Sequence, residues 1–144
     1  MVAFNTQQTL ARGPMRGHGW ASEEITAYAE FPLTALATGD TVDMLWVPNG
    51  AIITGVMFGS DDIDSNGAPT VSMTVGDTGS TARLVAASNI GQAGGFTTTL
   101  AATGAFFKYT ADTKIRVTAA TGSATFQAGT LKLKVSYVID PTFA

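Results

Sequence analysis

Gly129-Thr130-Leu131-Lys132-Leu133-Lys134-Val135-Ser136-Tyr137-Val138-Ile139 decides the fold. Leu131, Leu133, Val135, Tyr137 and Ile139 alternate with Lys132, Lys134, Ser136 and Val138. In an extended chain this puts five apolar side chains on one face and leaves the other wet. Upstream, Ile115 and Val117 alternate in the same way with Lys114, Arg116 and Thr118. Further runs of Thr, Val, Ile and aromatic residues are separated by Gly, Asn and Asp clusters at intervals of roughly 8–12 residues, the spacing of a sandwich or barrel. They predict strands at 25–31, 41–47, 52–59, 70–75, 83–87, 104–109, 114–119 and 129–139. Val47-Pro48-Asn49-Gly50-Ala51 reads as a hairpin or corner, because proline fixes φ and Asn-Gly tolerates positive φ. Gly91-Gln92-Ala93-Gly94-Gly95 reads as a mobile loop, and residues 33–40 as the best place for a short helical turn. The expected fold is all-β: a single jelly-roll-like β-sandwich over 25–144, preceded by an extended N-terminal arm over 1–24.

The 144 residues suit one domain. With 45% hydrophobic and 13% charged residues and a net charge of −3, the chain is neither a disordered polyelectrolyte nor a broadly basic nucleic-acid binder. The absence of cysteine excludes disulfides, thiolate metal sites and cysteine nucleophiles. No apolar run approaches the roughly 20 residues that span a bilayer, and no secretion signal is expected from the polar-mixed start. So little charge leaves a surface rich in Thr, Ala, Ser and Gly, which is cheap to order and to desolvate and therefore suits broad protein contacts.

The arm is basic while the rest of the chain is acidic. Arg12-Gly13-Pro14-Met15-Arg16-Gly17-His18-Gly19-Trp20 has no period of 2 or 3.6, and free tails are poor in large apolar residues such as Phe4, Met15 and Trp20. Phe4, Arg12, Met15, Arg16 and Trp20 are therefore the candidate partner-binding residues, and the alternative is a solvated tail.

Catalytic chemistry is thinly represented. The one histidine, His18, sits between two glycines, where a general base is poorly oriented. Neither a nucleophile elbow nor a phosphate-binding Gly-Lys loop occurs. Eight Asp and three Glu could supply a two-carboxylate hydrolase, but Asp40, Asp77, Asp112 and Asp140 stand in turn contexts, where aspartate ordinarily holds backbone. Asp61-Asp62-Ile63-Asp64-Ser65-Asn66-Gly67 is half of a calcium loop: Asp62, Asp64 and Asn66 alternate as ligands would, yet Met73 stands where the bidentate Glu belongs. No cofactor is expected. Lys114, Arg116, Lys132 and Lys134 read either as a cationic stripe for nucleic acid or as protection of an exposed edge strand, and the edge reading is preferred.

Four stretches together resemble a known group. They are Val47-Pro48-Asn49-Gly50-Ala51-Ile52-Ile53-Thr54-Gly55-Val56, Thr74-Val75-Gly76-Asp77, Tyr109-Thr110-Ala111-Asp112-Thr113-Lys114-Ile115, and residues 129–137. They resemble small virion structural proteins of tailed bacteriophages, the head decoration or cement type. The resemblance implies a non-enzymatic homo-oligomer, commonly a trimer, that sits on the capsid surface, bridges major capsid subunits, and binds neither nucleic acid nor membrane. The alternative is a carbohydrate- or receptor-binding module of a tail or fibre, for which Trp46, Tyr28 and Tyr109 are the available aromatics.

Overall fold

The computed structural model describes residues 2–5 and 23–140. Nine strands follow in order: β1 (Ala3–Asn5), β2 (Glu24–Leu33), β3 (Thr41–Val47), β4 (Ala51–Ser60), β5 (Ser72–Gly76), β6 (Val85–Ser88), β7 (Gly95–Thr97), β8 (Thr113–Thr121) and β9 (Gly129–Ile139). They form two sheets, β1-β3-β8-β5-β6 and β2-β9-β4-β7. All pairings are antiparallel except β1 with β3. The fold is an all-β sandwich.

The period-2 pattern of β9 is realised as read. Leu131, Leu133, Val135 and Tyr137 are buried, while Lys132 and Lys134 point outward. Ile115, Val117 and Ala119 of β8 face them from the other sheet, together with Leu45 and Met73, while Ile53 and Phe58 of the neighbouring β4 join them from their own sheet. In β4 the register shifts between Ile53 and Gly55, so the inward positions run Ile53, Val56, Phe58. A bulge of this kind inserts one residue and restores the correct face.

Four local expectations are corrected. Residues 104–109 are not a strand: Gly104 and Ala105 both donate to the Ala101 carbonyl, and the rest of the segment meets β4 through one isolated bridge, Lys108 to Ile52, whose flanking backbone bonds run to Ala51 and Ile53. No helix forms over 33–40, because the Asp40 carboxylate accepts the Ala37 N–H (2.9 Å) and the Val2 N–H (3.0 Å) and closes a turn through Gly39 at φ +90°. The 91–95 segment is tied down rather than mobile. It contains a 3-10 turn at Ile90–Gln92 and the start of β7, the Gly91 carbonyl accepts the Ile63 N–H, and the Gln92 side chain donates to the Val71 carbonyl. Finally, β9 lies between β2 and β4, so Lys132 and Lys134 do not protect an edge.

Of the arm residues, Phe4 lies in β1, half-buried, with its ring 5.6 Å from that of Phe31. Arg12, Met15, Arg16 and Trp20, like His18, lie outside the described residues.

Candidate interface on the outer face of the second sheet

The carboxylates were the first candidates for chemistry, and the structure shows what they hold. Asp62 Oδ1 accepts the Asp64 N–H, Asp64 Oδ1 accepts the Asn66 N–H, and Asn66 Oδ1 accepts the Ala68 N–H. The alternate spacing that resembles a calcium loop is thus three successive Asx turns, each side chain taking the amide two residues on. Asp64 is 1% exposed and also accepts the amides of Thr70 (2.8 Å), Val71 (3.2 Å), Ala124 (2.9 Å) and Thr125 (2.9 Å). Burial pushes its pKa up, but the amides of Thr125, Ala124, Thr70 and Val71 outweigh that and hold the carboxyl far below the usual carboxylate range. No group of three or more acidic or histidine side chains placed to hold a metal forms among the described residues.

A second buried carboxylate, Asp77, accepts the Gly79 and Ser80 amides, the Arg83 Nε–H at 2.6 Å and the Tyr109 hydroxyl at 2.8 Å. Burial alone would raise its pKa, and the Arg83 and Tyr109 hydrogen bonds bring it below the ordinary value. The Arg83 guanidinium lies 3.9 Å from the Phe107 ring centroid, and Phe107 meets Tyr109 edge-on at 4.9 Å. This cluster welds the 76–83 loop to the 104–109 turn.

The four cations of the supposed stripe separate onto the two sheets: Lys114 and Arg116 on β8, Lys132 and Lys134 on β9. Arg116 pairs with Asp43 at 3.0 Å, and Lys114 lies 3.8 Å from the same carboxylate. The aromatic platform of the carbohydrate reading is not assembled either. Tyr109 is buried, while Trp46 and Tyr28 lie on different sheets.

The outer face of β2-β9-β4-β7 is different in character. The register aligns Tyr28, Lys134 and Met57 in one row and Glu30, Lys132, Gly59 and Phe96 in the next. Gly59 carries no side chain, so a groove of about 340 Å³ opens between these rows. Tyr28 is 54% exposed, Phe96 68% and Met57 39%, and Phe106, beside the same strand β4, is 78% exposed. Neither Lys132 nor Lys134 makes an ion pair with a described residue. The Tyr28 hydroxyl donates to Glu30 (2.9 Å). The sequence alone does not single out Met57 or Phe96, while in the consecutive pair Phe106-Phe107 at least one ring is expected in the core. The adjacent pair Phe106-Phe107 was a usable signal, since two consecutive aromatics cannot both enter the core of a strand.

A solved structure shows what the whole chain is related to. The chain is similar to a chain of the cyanophage Pam1 capsid asymmetric unit, with 31% identity over 93% of this chain and 97% of that one and a TM-score of 0.74. This protein belongs to that family of phage capsid proteins. Membership places it in the virion. A chain in the capsid of Ralstonia phage GP4 is similar at 26% identity, covering 96% of this capsid-family protein and 98% of its counterpart, with a TM-score of 0.78. The acid-stable capsid of the Helicobacter pylori bacteriophage KHP30 contains a chain with the same fold at 14% identity and a TM-score of 0.55, covering 81% of this chain and 92% of that one. No family model and no curated protein matches the sequence.

Proposed function

We propose that this capsid-family protein is a non-enzymatic decoration subunit that sits on the capsid surface as a trimer and stabilises the shell by bridging major capsid subunits. The likeness over nearly the whole chain to a chain found in a phage capsid carries this reading. The strand order supports it by its winding. Successive strands β2, β3 and β4 alternate between the sheets, β5 and β6 share one, and β7, β8 and β9 alternate again, which is the path of a jelly roll. A rigid sandwich of this kind, repeated at many symmetric joints, adds interface at each without needing chemistry of its own.

Residues 6–22 of the arm contribute the reach. Arg12 and Arg16 pair with acidic groups on a neighbour, and Met15 and Trp20 are the apolar anchors, while Phe4 fastens the start of the chain to the sandwich through Phe31. The test is co-sedimentation of the purified protein with particles that lack it. Wild-type protein is expected to bind at saturating occupancy and to raise the temperature at which particles rupture. A variant lacking residues 6–22 is expected to lose at least tenfold in occupancy while keeping its far-UV spectrum and cooperative melt. Full occupancy by the shortened protein would exclude the arm. Light scattering behind size exclusion is expected to report three copies per particle in solution, and a monomer would remove the trimer.

A further inference from the structure

We propose that the outer face of β2-β9-β4-β7, together with the open side of β4, grips a neighbouring capsid subunit through an extended segment in which an apolar side chain is flanked by carboxylates. The proposal rests on the capsid-decoration reading and names the surface and the chemistry of its partner.

Phe106 is the leading observation. Its φ of +58° is the only positive value at a non-glycine residue among those described, and its ring is 78% exposed. A bulky residue in left-handed backbone is strained, and such strain persists only where its surroundings enforce it. Here they do. The Phe106 N–H donates to the Ile53 carbonyl at 3.0 Å, and the Phe107 N–H donates to Gly104 at 3.1 Å. Phe107 itself is clamped between Arg83 and Tyr109. With both flanks fixed, the Phe106 ring can only project outward. Glycine would close the same turn without strain, so the fold itself gives no reason for an aromatic ring here.

A second exposed ring, Phe96, stands at the other end of β4, where β7 pairs through Phe58–Thr97, Gly59–Phe96 and Ser60–Gly95. Ile53 and Gly59 are six residues apart, so the two exposed rings stand about 20 Å from each other along one strand at ~3.3 Å per residue. Between and beside them lies the Gly59 groove, walled by Tyr28 and Met57 and overhung by Lys132 and Lys134. The acids near this groove already have donors: Glu30 takes the Tyr28 hydroxyl, and Asp61 takes the Thr130 amide. Neither lysine makes an ion pair with a described residue, so Lys132 and Lys134 are open to carboxylates carried by a segment that covers the groove.

The experiment uses full-length protein and particles lacking it, with three variants: Lys132→Glu combined with Lys134→Glu, Gly59→Leu, and Phe106→Gly. A Cβ at Gly59 meets its nearest neighbours at 3.7–3.9 Å, ordinary contact distances, so the leucine fills the groove without disturbing the strand. The charge reversal is expected to lower occupancy more than tenfold, and wild-type binding is expected to weaken as salt rises. Phe106→Gly is expected to melt about 3 °C higher than wild type and yet bind at least fivefold more weakly, a combination that a purely structural residue does not produce. If all three variants bind like wild type while wild type saturates the particles, this surface is overturned and the decoration reading stands. If wild type does not bind particles at all, the decoration reading falls. If the charge reversal breaks the solution oligomer in light scattering, the face belongs to copy–copy contact and the capsid partner is overturned.

Discussion

Asp64→Ala is expected to lower the melting temperature by more than about 10 °C in calorimetry, while Asp62→Ala, only two residues away but making one described side-chain bond, shifts it by no more than about 2 °C. The difference lies in what each carboxylate holds. Asp64 receives five backbone amides drawn from three stretches of chain: Asn66, Thr70-Val71 and Ala124-Thr125. These stretches connect β4 to β5 and β8 to β9, so one side chain closes the same end of both sheets. Alanine leaves those donors facing a cavity, and a buried donor without an acceptor costs its full desolvation. Asparagine keeps one acceptor oxygen but turns an NH2 group towards amides that need acceptors, so Asp64→Asn is expected to fall between the two. The pH dependence follows from the lowered pKa. The folded state holds Asp64 ionised where the unfolded chain already binds a proton, so its stabilisation is complete above about pH 4 and fades as pH falls towards the lower folded value. Wild type is expected to lose melting temperature on acidification below pH 4, and Asp64→Asn to show a flatter slope there.

The sequence pattern revealed faces well and neighbours poorly. In β9 and β8 strict alternation names the buried side chains one by one, because a sheet of a sandwich has one dry and one wet face. Alternation says nothing about which strands lie alongside, and so Lys132 and Lys134 were assigned to an edge although β9 is flanked on both sides. Strands of three residues, β1 and β7, are too short to display any period. The apolar run at 104–109 misleads in the opposite direction: its side chains are apolar because one docks inward and one projects outward from a turn, which needs the tertiary clamp of Arg83 and Tyr109 to be visible. The Asp62, Asp64 and Asn66 spacing was a true signal of local geometry. Asx turns and the first half of a calcium loop both need a carbonyl or carboxylate oxygen at every second residue, and only the amides of residues far along the chain separate them.

Asp77→Ala is expected to cost about 3 kcal/mol in urea denaturation with an unchanged m-value, and Tyr109→Phe about 1 kcal/mol. Removing the carboxylate strands the Arg83 guanidinium and the buried Tyr109 hydroxyl together, along with the Gly79 and Ser80 amides. Removing only the hydroxyl leaves Asp77 with four donors from Gly79, Ser80 and Arg83, so the loop around it survives. The two variants should differ in function as well. Arg83 stacks on Phe107, and Phe107 fixes the turn that forces Phe106 outward, so the Asp77 carboxylate acts on the docking surface through two intermediates. Asp77→Ala frees that turn to relax its left-handed residue, and the exposed ring is then no longer held at the position a partner must meet. Particle occupancy is therefore expected to fall at least fivefold for Asp77→Ala under conditions where the variant is still fully folded, and less than twofold for Tyr109→Phe. Equal occupancy for a folded Asp77→Ala would mean that Phe106 does not need its strained backbone to bind, and would separate the stability of this cluster from its use.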